Sequence, residues 1–400
     1  MTKKALVKET DGVSRRKFLT GAAVATAGVA TLGFPSVLKA QGPISMRWQS
    51  TWPTKDIFHE YALDFAKLVN DMTGGDLKIE VLPAGAVVPA FGLLDAVAKG
   101  TLDGGHGVLG YHYGKQNALA LWNSGPCFGL DANMMLAWHK YGGGKELLAK
   151  LYASIGITTV MSFLTGPMFT QPLGWFKKPI TKMEDFKGMK FRTNGLAIDL
   201  FTAMGAAVNA LPAGEIVPAL DRGLLDGAEF NNATSDKLLG FPDVSKVCML
   251  QSYHQSAESF EIMFNKPKYD GLPAKMKAII AGCIEASSAD MAWKSVDRYS
   301  KDYIELQTKD KVKFYKTPDS ILAAQCKMWD DILKKKSAEN PMFNEVISSQ
   351  KAFAERATKW DSDYNISQRI ARNYFWGKKA EATKAAPAKA EPAKAAPAKK

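Results

Sequence analysis

Two hydrophobic periods alternate along the chain. Ile44 to Ser50 (ISMRWQS) places apolar residues at every second position, the period of a strand. After the turn at Trp52-Pro53-Thr54, the stretch HEYALDFAKLVNDMTGG carries Ala62, Phe65, Leu68 and Val69 at helical spacing and stops at Gly74-Gly75. DLKIEVLPAG returns to a strand, closed by Pro83-Ala84-Gly85, and PAFGLLDAVAKG makes a second helix ending at Gly100. Strands that alternate with helices at this spacing predict a mostly parallel sheet covered on both faces. Further along, Gly166 to Ile180 and Met189 to Asn194 read as strands of a second lobe. Val244 to Gln255 and Phe260 to Asn265 read as strands near a crossing back. From Leu272 the pattern becomes one long polar helix, and Tyr364 to Phe375 forms a final amphipathic helix.

The pattern contains a repeat. LPAG occurs at Leu82 to Gly85 and again at Leu211 to Gly214. Each copy is followed by a helix, by a basic-glycine pair (Lys99-Gly100 or Arg222-Gly223), and then by Leu-Asp-Gly. This is the chemistry of a helix end with a cation near its negative pole, a glycine cap and a return into a strand. Two marks in the same order favour two related α/β lobes. After the shared Asp-Gly the copies diverge, to Gly-His in one and Ala-Glu-Phe in the other.

Composition changes the picture mainly at the ends. Of a net charge of +12, residues 1–40 and 378–400 each hold +5, with seven Lys/Arg against two acids in each, so the body carries +2. A basic groove for nucleic acid has no support in that distribution. Ser14-Arg15-Arg16-Lys17-Phe18-Leu19, followed by a Gly/Ala-rich apolar run and Ala40, reads as a twin-arginine export signal spanning 1–40. The Lys/Ala/Pro/Glu repeats of 378–400 read as a disordered tail. Cys127, Cys248, Cys283 and Cys326 have no metal-ligand spacing; one disulfide is allowed, but apolar surroundings at Cys127 and Cys248 favour buried thiols.

Candidate chemistry is sparse. Gly105 to Gly110 (GHGVLG) matches a dinucleotide-loop pattern, yet it follows a helix and precedes no amphipathic one, so the match fails its structural test. HExxH, GxSxG, GxxxxGK[ST] and paired CxxC motifs are absent, and His59, His106, His112, His139 and His254 are scattered. Arg192 in FKGMKFRTNG stands out, at the C-terminal end of a predicted strand, where a guanidinium can grip a carboxylate through two hydrogen bonds.

The segments WPTKDIFHEYALDFAKLVNDMTGGDLKIEVLPAG, WHKYGGG, MEDFKGMKFRTNG and LPAGEIVPALDRGLLDGAEF together resemble the periplasmic solute-binding subunits of TRAP transporters, over about Ile44 to Phe375. The branch most similar is the one that binds 2-oxo or 2-hydroxy monocarboxylates. The resemblance implies an α/β fold of two lobes, like a type II periplasmic binding protein, with hinge strands and a long lobe-spanning helix. On that pattern lobe I takes 41–165 and 256–297, lobe II takes 166–255 and 298–360, and 361–377 is a C-terminal helix. It implies that Arg192 pairs with the ligand carboxylate and that Gln171, Phe230, Trp52, Tyr111 and Tyr113 complete the pocket, with His254 in second rank. It also implies a sodium or calcium ion bridging the ligand, held by Gln171, Glu229, Phe230 and Gln255, all through hard oxygen donors. Two departures bear on that ion: Phe230 stands where tryptophan is common, and Gln255 where an acid can occur. The implied role is a periplasmic binding protein, not an enzyme, that hands a small carboxylate to membrane subunits. A longer sugar acid or dicarboxylate is the competing ligand, and an exported cofactor enzyme the competing class. The apolar end Tyr374-Phe375-Trp376 allows a homodimer through the last helices.

Overall fold

The computed structural model describes residues 42–377, so the export signal and the tail expected at 1–40 and 378–400 lie outside the described residues. The chain begins in a first sheet with β1 (Ile44–Ser50), β2 (Leu77–Leu82), β3 (Gly104–Gly107) and β4 (Val160–Met168). It then crosses to a second sheet with β5 (Gly174–Phe176), β6 (Lys190–Arg192), β7 (Ala207–Asn209), β8 (Gly227–Ala228) and β9 (Val247–Leu250). β10 (Glu258–Asn265) returns to the first sheet and β11 (Lys313–Lys316) to the second. The strand orders are β2-β1-β3-β10-β4 and β11-β9-β5-β8-β6-β7. β1 pairs in parallel with β2 and β3, and β6 with β7 and β8, whereas the crossing strands β4 and β10 pair antiparallel to each other. The fold is thus the two-lobe α/β arrangement expected from the repeat, but both sheets are mixed rather than mostly parallel, because β10 and β5 pair antiparallel with both of their neighbours.

The first helix, α1 (Ile57–Met72), begins where the Asp56 side chain accepts the Phe58 N–H, and it buries Phe58, Tyr61, Phe65 and Val69. α2 (Leu93–Ala98) runs into β3, and α3 (Ala132–Tyr141) and α4 (Gly144–Ser154) cover the same lobe. In the second lobe, α5 (Ala197–Ala203), α6 (Ala213–Asp221) and α7 (Ala233–Leu239) follow β6, β7 and β8. α8 (Ala274–Thr308) is the long helix. It packs on α1 and β4 at one end and on α7 at the other, so its roughly 50 Å, at 1.5 Å per residue, span both lobes.

The repeat is a repeated joint. Gly100 and Gly223, at φ +73° and +70°, stop α2 and α6. Asp103 and Asp226 then each pin the incoming strand to its parallel neighbour. Asp103 exchanges hydrogen bonds with Arg47, and Asp226 with Lys190, through backbone and carboxylate alike.

Several boundaries differ from the sequence reading. β4 starts at Val160 rather than Gly166 and belongs to the first sheet, because its apolar run continues through Gly166-Pro167; as an edge strand it tolerates the proline. Residues 298–360 do not all join the second lobe. α9 (Asp319–Glu339) packs on α5, but α10 (Pro341–Tyr364) lies against α3, α4 and the 3-10 helix Asn117–Trp122 of the first. The C-terminal helix is not continuous over 361–377: α10 ends at Tyr364, and α11 (Gln368–Trp376) starts after a break. The four cysteines are free, Cys326 exposed and the others buried. Among the described residues no helix is long and apolar enough to cross a membrane.

Candidate functional site

Arg192 ends β6, where the sheet carries it under the opposing lobe, and its side chain is fully buried. Its Nε donates to the Leu211 carbonyl at 2.8 Å, the leucine of the second LPAG copy. Its Nη1 donates to the Glu229 carboxylate at 2.9 Å and to the Glu229 carbonyl at 3.1 Å. Its Nη2 has no protein partner although it is buried. Three contacts therefore fix the guanidinium while one edge stays free to donate, the arrangement that recognition of a planar anion needs.

Glu229, directly after β8, follows Ala228, the register partner of Arg192; its N–H donates to the Arg192 carbonyl at 3.3 Å, and its second carboxylate oxygen is buried without a partner. Burial raises its carboxyl to about 7, with the Arg192 charge pulling the other way. Phe230 lies with its ring 5.7 Å from the guanidinium carbon and packs on Phe58 and Phe241.

A second group meets the first through Glu229-Phe230-Asn231. Gln171 and Gln255 lie on the two crossings between the sheets, joined by a backbone hydrogen bond of 3.1 Å. Both donate through Nε2 to Glu258, at 2.7 and 3.1 Å, and Asn231 donates to the same carboxylate at 3.1 Å. The two Oε1 atoms are left buried and unpaired. Burial pushes the Glu258 carboxyl well up, and the Glu229 charge adds to the rise.

From the first lobe, Trp52 donates to His106 at 2.9 Å and packs on Tyr111, Phe58 and Phe260. Burial raises the Tyr111 hydroxyl, opposed by Arg192 beside it. His254 is held neutral, its imidazole lowered to about 3 by burial and then by Arg192, and its Nδ1 meets Ser252 at 2.7 Å. The structure thus gathers Arg192, Glu229, Phe230, Tyr111 and Trp52 in one buried region and Gln171 and Gln255 beside it. Tyr113 is not in that group: its hydroxyl donates to Asp199 at 2.7 Å and accepts from Lys336 at 2.6 Å, at the lobe rim.

Glu258 and Asn231 were not foreseen. The sequence pattern starts this strand at Phe260, two residues after Glu258; a lone carboxylate ahead of an apolar run is the signal available there. Glu258 stands three residues after Gln255, the position where the resemblance allows an acid. Among the described residues no three His, Cys, Asp or Glu side chains form a metal-ligand set. The unpaired acceptors are instead two amide oxygens and one carboxylate oxygen, a donor set of the hard kind that suits sodium or calcium. The GHGVLG segment runs from β3 into a short 3-10 turn, Leu109–His112, and not into the α-helix that a dinucleotide-binding loop requires.

Comparison with known proteins agrees with this architecture. The family DctP, bacterial extracellular solute-binding protein family 7, matches residues 49–340. A monocarboxylate 2-oxoacid-binding periplasmic protein of Nostoc sp. is 31% identical over 360 residues, covering 89% of this chain and 98% of that protein. A TRAP periplasmic solute-binding protein from Colwellia psychrerythraea, with bound calcium and pyruvate, superposes with a TM-score of 0.76 at 28% identity, over 83% of this chain and 100% of that one. One from Pseudoalteromonas atlantica, with sodium and pyruvate, gives 0.75 at 28% identity, over 80% and 97%. A third, from Bordetella bronchiseptica, is a mixed-occupancy dimer with copurified calcium and picolinate and gives 0.78 at 26% identity, over 83% and 97%. With a family match over most of its length and relatives aligned nearly end to end, the chain belongs to the DctP family of TRAP solute-binding proteins.

Proposed function

We propose that this binding protein captures a small 2-oxo or 2-hydroxy monocarboxylate in the periplasm and delivers it to TRAP membrane subunits. The observation that carries the reading is the free Nη2 edge of Arg192 in a buried site. Arg192 is also the one Lys or Arg side chain that is buried among the described residues. One guanidinium matches one carboxylate. A dicarboxylate would find no second buried Lys or Arg for its other carboxylate, and leaving that group uncompensated costs several kcal/mol.

Gln171, Gln255 and Glu229, with the Phe230 carbonyl, would hold a sodium or calcium ion. When bound, such an ion supplies positive charge to the oxygens of the ligand. Trp52, Tyr111 and Phe230 exclude water and face its carbon side. The relatives that bind pyruvate with sodium or calcium support this reading, as does the 2-oxoacid-binding relative. Residues 1–40 direct export by the twin-arginine route, and two copies associate through their last helices.

The test is a thermal-shift panel of short carboxylates, with calcium or with chelator, on wild-type protein and Arg192→Met. Pyruvate-like acids should raise the wild-type Tm, and the variant should lose that response while remaining folded. An unchanged response in Arg192→Met would remove the assignment. Replacing Arg15 and Arg16 together by lysine should leave the precursor unexported, as read by cell fractionation.

A further inference from the structure

Glu258 is a buried carboxylate that no Lys or Arg balances. Arg192 pairs with Glu229, whereas the partners of Glu258 are three neutral amides, from Gln171, Asn231 and Gln255. It is placed by the backbone, at the first position of β10, where the pairing with β4 shifts register before Phe260.

A primary amide is nearly symmetric in shape, so packing alone does not decide whether its oxygen or its nitrogen faces a cavity. In this arrangement the Glu258 carboxylate acts only as an acceptor, taking three amide N–H bonds, and so draws both glutamine nitrogens toward itself. The two Oε1 atoms are thereby turned the other way, and both are buried without a partner. Two unpaired amide oxygens, together with the free oxygen of Glu229, attract a cation, whereas two NH2 groups in their place would repel one.

We propose that Glu258 is a positioning residue. By holding Gln171 and Gln255 in one amide orientation, it makes ligand capture dependent on a hard cation, without itself touching ligand or ion. This rests on the reading that the site takes a carboxylate together with a cation.

The experiment is calorimetric titration of pyruvate across a calcium series, for wild type, Glu258→Gln, the double variant Glu258→Gln/Gln255→Glu, and Arg192→Met. Glu258→Gln keeps the shape but adds a donor, so at least one glutamine can turn. The calcium concentration giving half of the maximal affinity should rise about tenfold or more, the scale of losses when an outer partner of a metal ligand is changed. The double variant should recover calcium dependence, because a carboxylate at position 255 presents oxygen whichever way it turns. A merely structural role for Glu258 gives no such rescue. If Glu258→Gln does not fold, Glu258→Asp is titrated instead; it adds no donor but stops one methylene short of the two amides, so its midpoint should rise by less than about tenfold and still lie above the wild-type value.

A wild-type calcium midpoint in the position-258 variant, or no recovery in the double variant, overturns the inference. So does wild-type binding that is indifferent to calcium; if Arg192→Met still fails to bind in that case, the carboxylate-binding reading stands. Normal binding by Arg192→Met would overturn that reading instead.

Discussion

Gly195 shows how closely single residues control the approach of the lobes. It follows Arg192-Thr193-Asn194 at φ +61°, and a Cβ there would lie 2.7 Å from Ser124 Oγ of the opposite lobe. That hydroxyl accepts the Leu196 N–H at 2.8 Å, so a methyl group would push apart a contact that joins the lobes. The Gly195→Ala protein should remain folded, losing about 1 kcal/mol to left-handed backbone alone. Its pyruvate affinity should fall by about tenfold, for each 1.4 kcal/mol lost from the closed form, as measured by calorimetry; unchanged affinity would mean that the contact does not govern closure. Gly110, the last glycine of the false dinucleotide pattern, has the same explanation, since a Cβ there would meet Asn194 at 3.1 Å. At this scale the sequence was only partly legible. Arg192 was marked by its place at a strand end, while Gln171, Gln255 and Glu229 came from family resemblance. The role of Glu258 depends on two crossings that meet in space, 87 residues apart for the Gln171 contact, and no local spacing carries that information.

At the scale of elements, the start of α1 is tied to α7 across the lobes. Ser235 donates to Asp56 at 2.5 Å, and Lys55 donates to the Leu239 carbonyl at 3.0 Å. Burial raises the Asp56 carboxyl to about 7, Ser235 and Phe58 opposing and Asp236 adding to the rise. The folded carboxyl therefore keeps its proton at pH values where the unfolded one has already lost it. Stability should fall as pH rises from about 4 to about 7 and level off above, with a ceiling near 4 kcal/mol from this group at about 1.4 kcal/mol per pKa unit. Asp56→Asn retains a capping side chain, so its Tm should depend less on pH across that window and exceed the wild-type value at pH 8. An equal slope in both proteins would exclude Asp56 as the source. Most elements were legible because period and turn chemistry agree locally: β1 was read at its observed bounds, and the two Lys/Arg-Gly stops proved to be one joint used twice. β4 was misplaced because Gly166-Pro167 looks like punctuation, and α10 because no residue pattern says which lobe a helix will cover.

At the scale of the whole molecule, α11 leaves Ile370, Tyr374, Phe375 and Trp376 all more than two-thirds exposed. An apolar surface of that kind, at the end of the described residues, fits the dimer proposed above. Light scattering should find the full chain as a dimer and a chain ending at Tyr364 as a monomer that still binds pyruvate; a truncated chain that stays dimeric would place the interface elsewhere. The two-lobe plan itself was legible from the repeat and the alternation, whereas the burial of the site was not, because it is a property of closure. That burial bears on rates. With Arg192, Glu229 and Gln255 at most 1% exposed, no solute reaches them until the lobes part. In rapid mixing, the observed association rate should therefore stop rising at high pyruvate concentration. Its plateau is the speed of opening, and it should be the same for every acid the protein accepts.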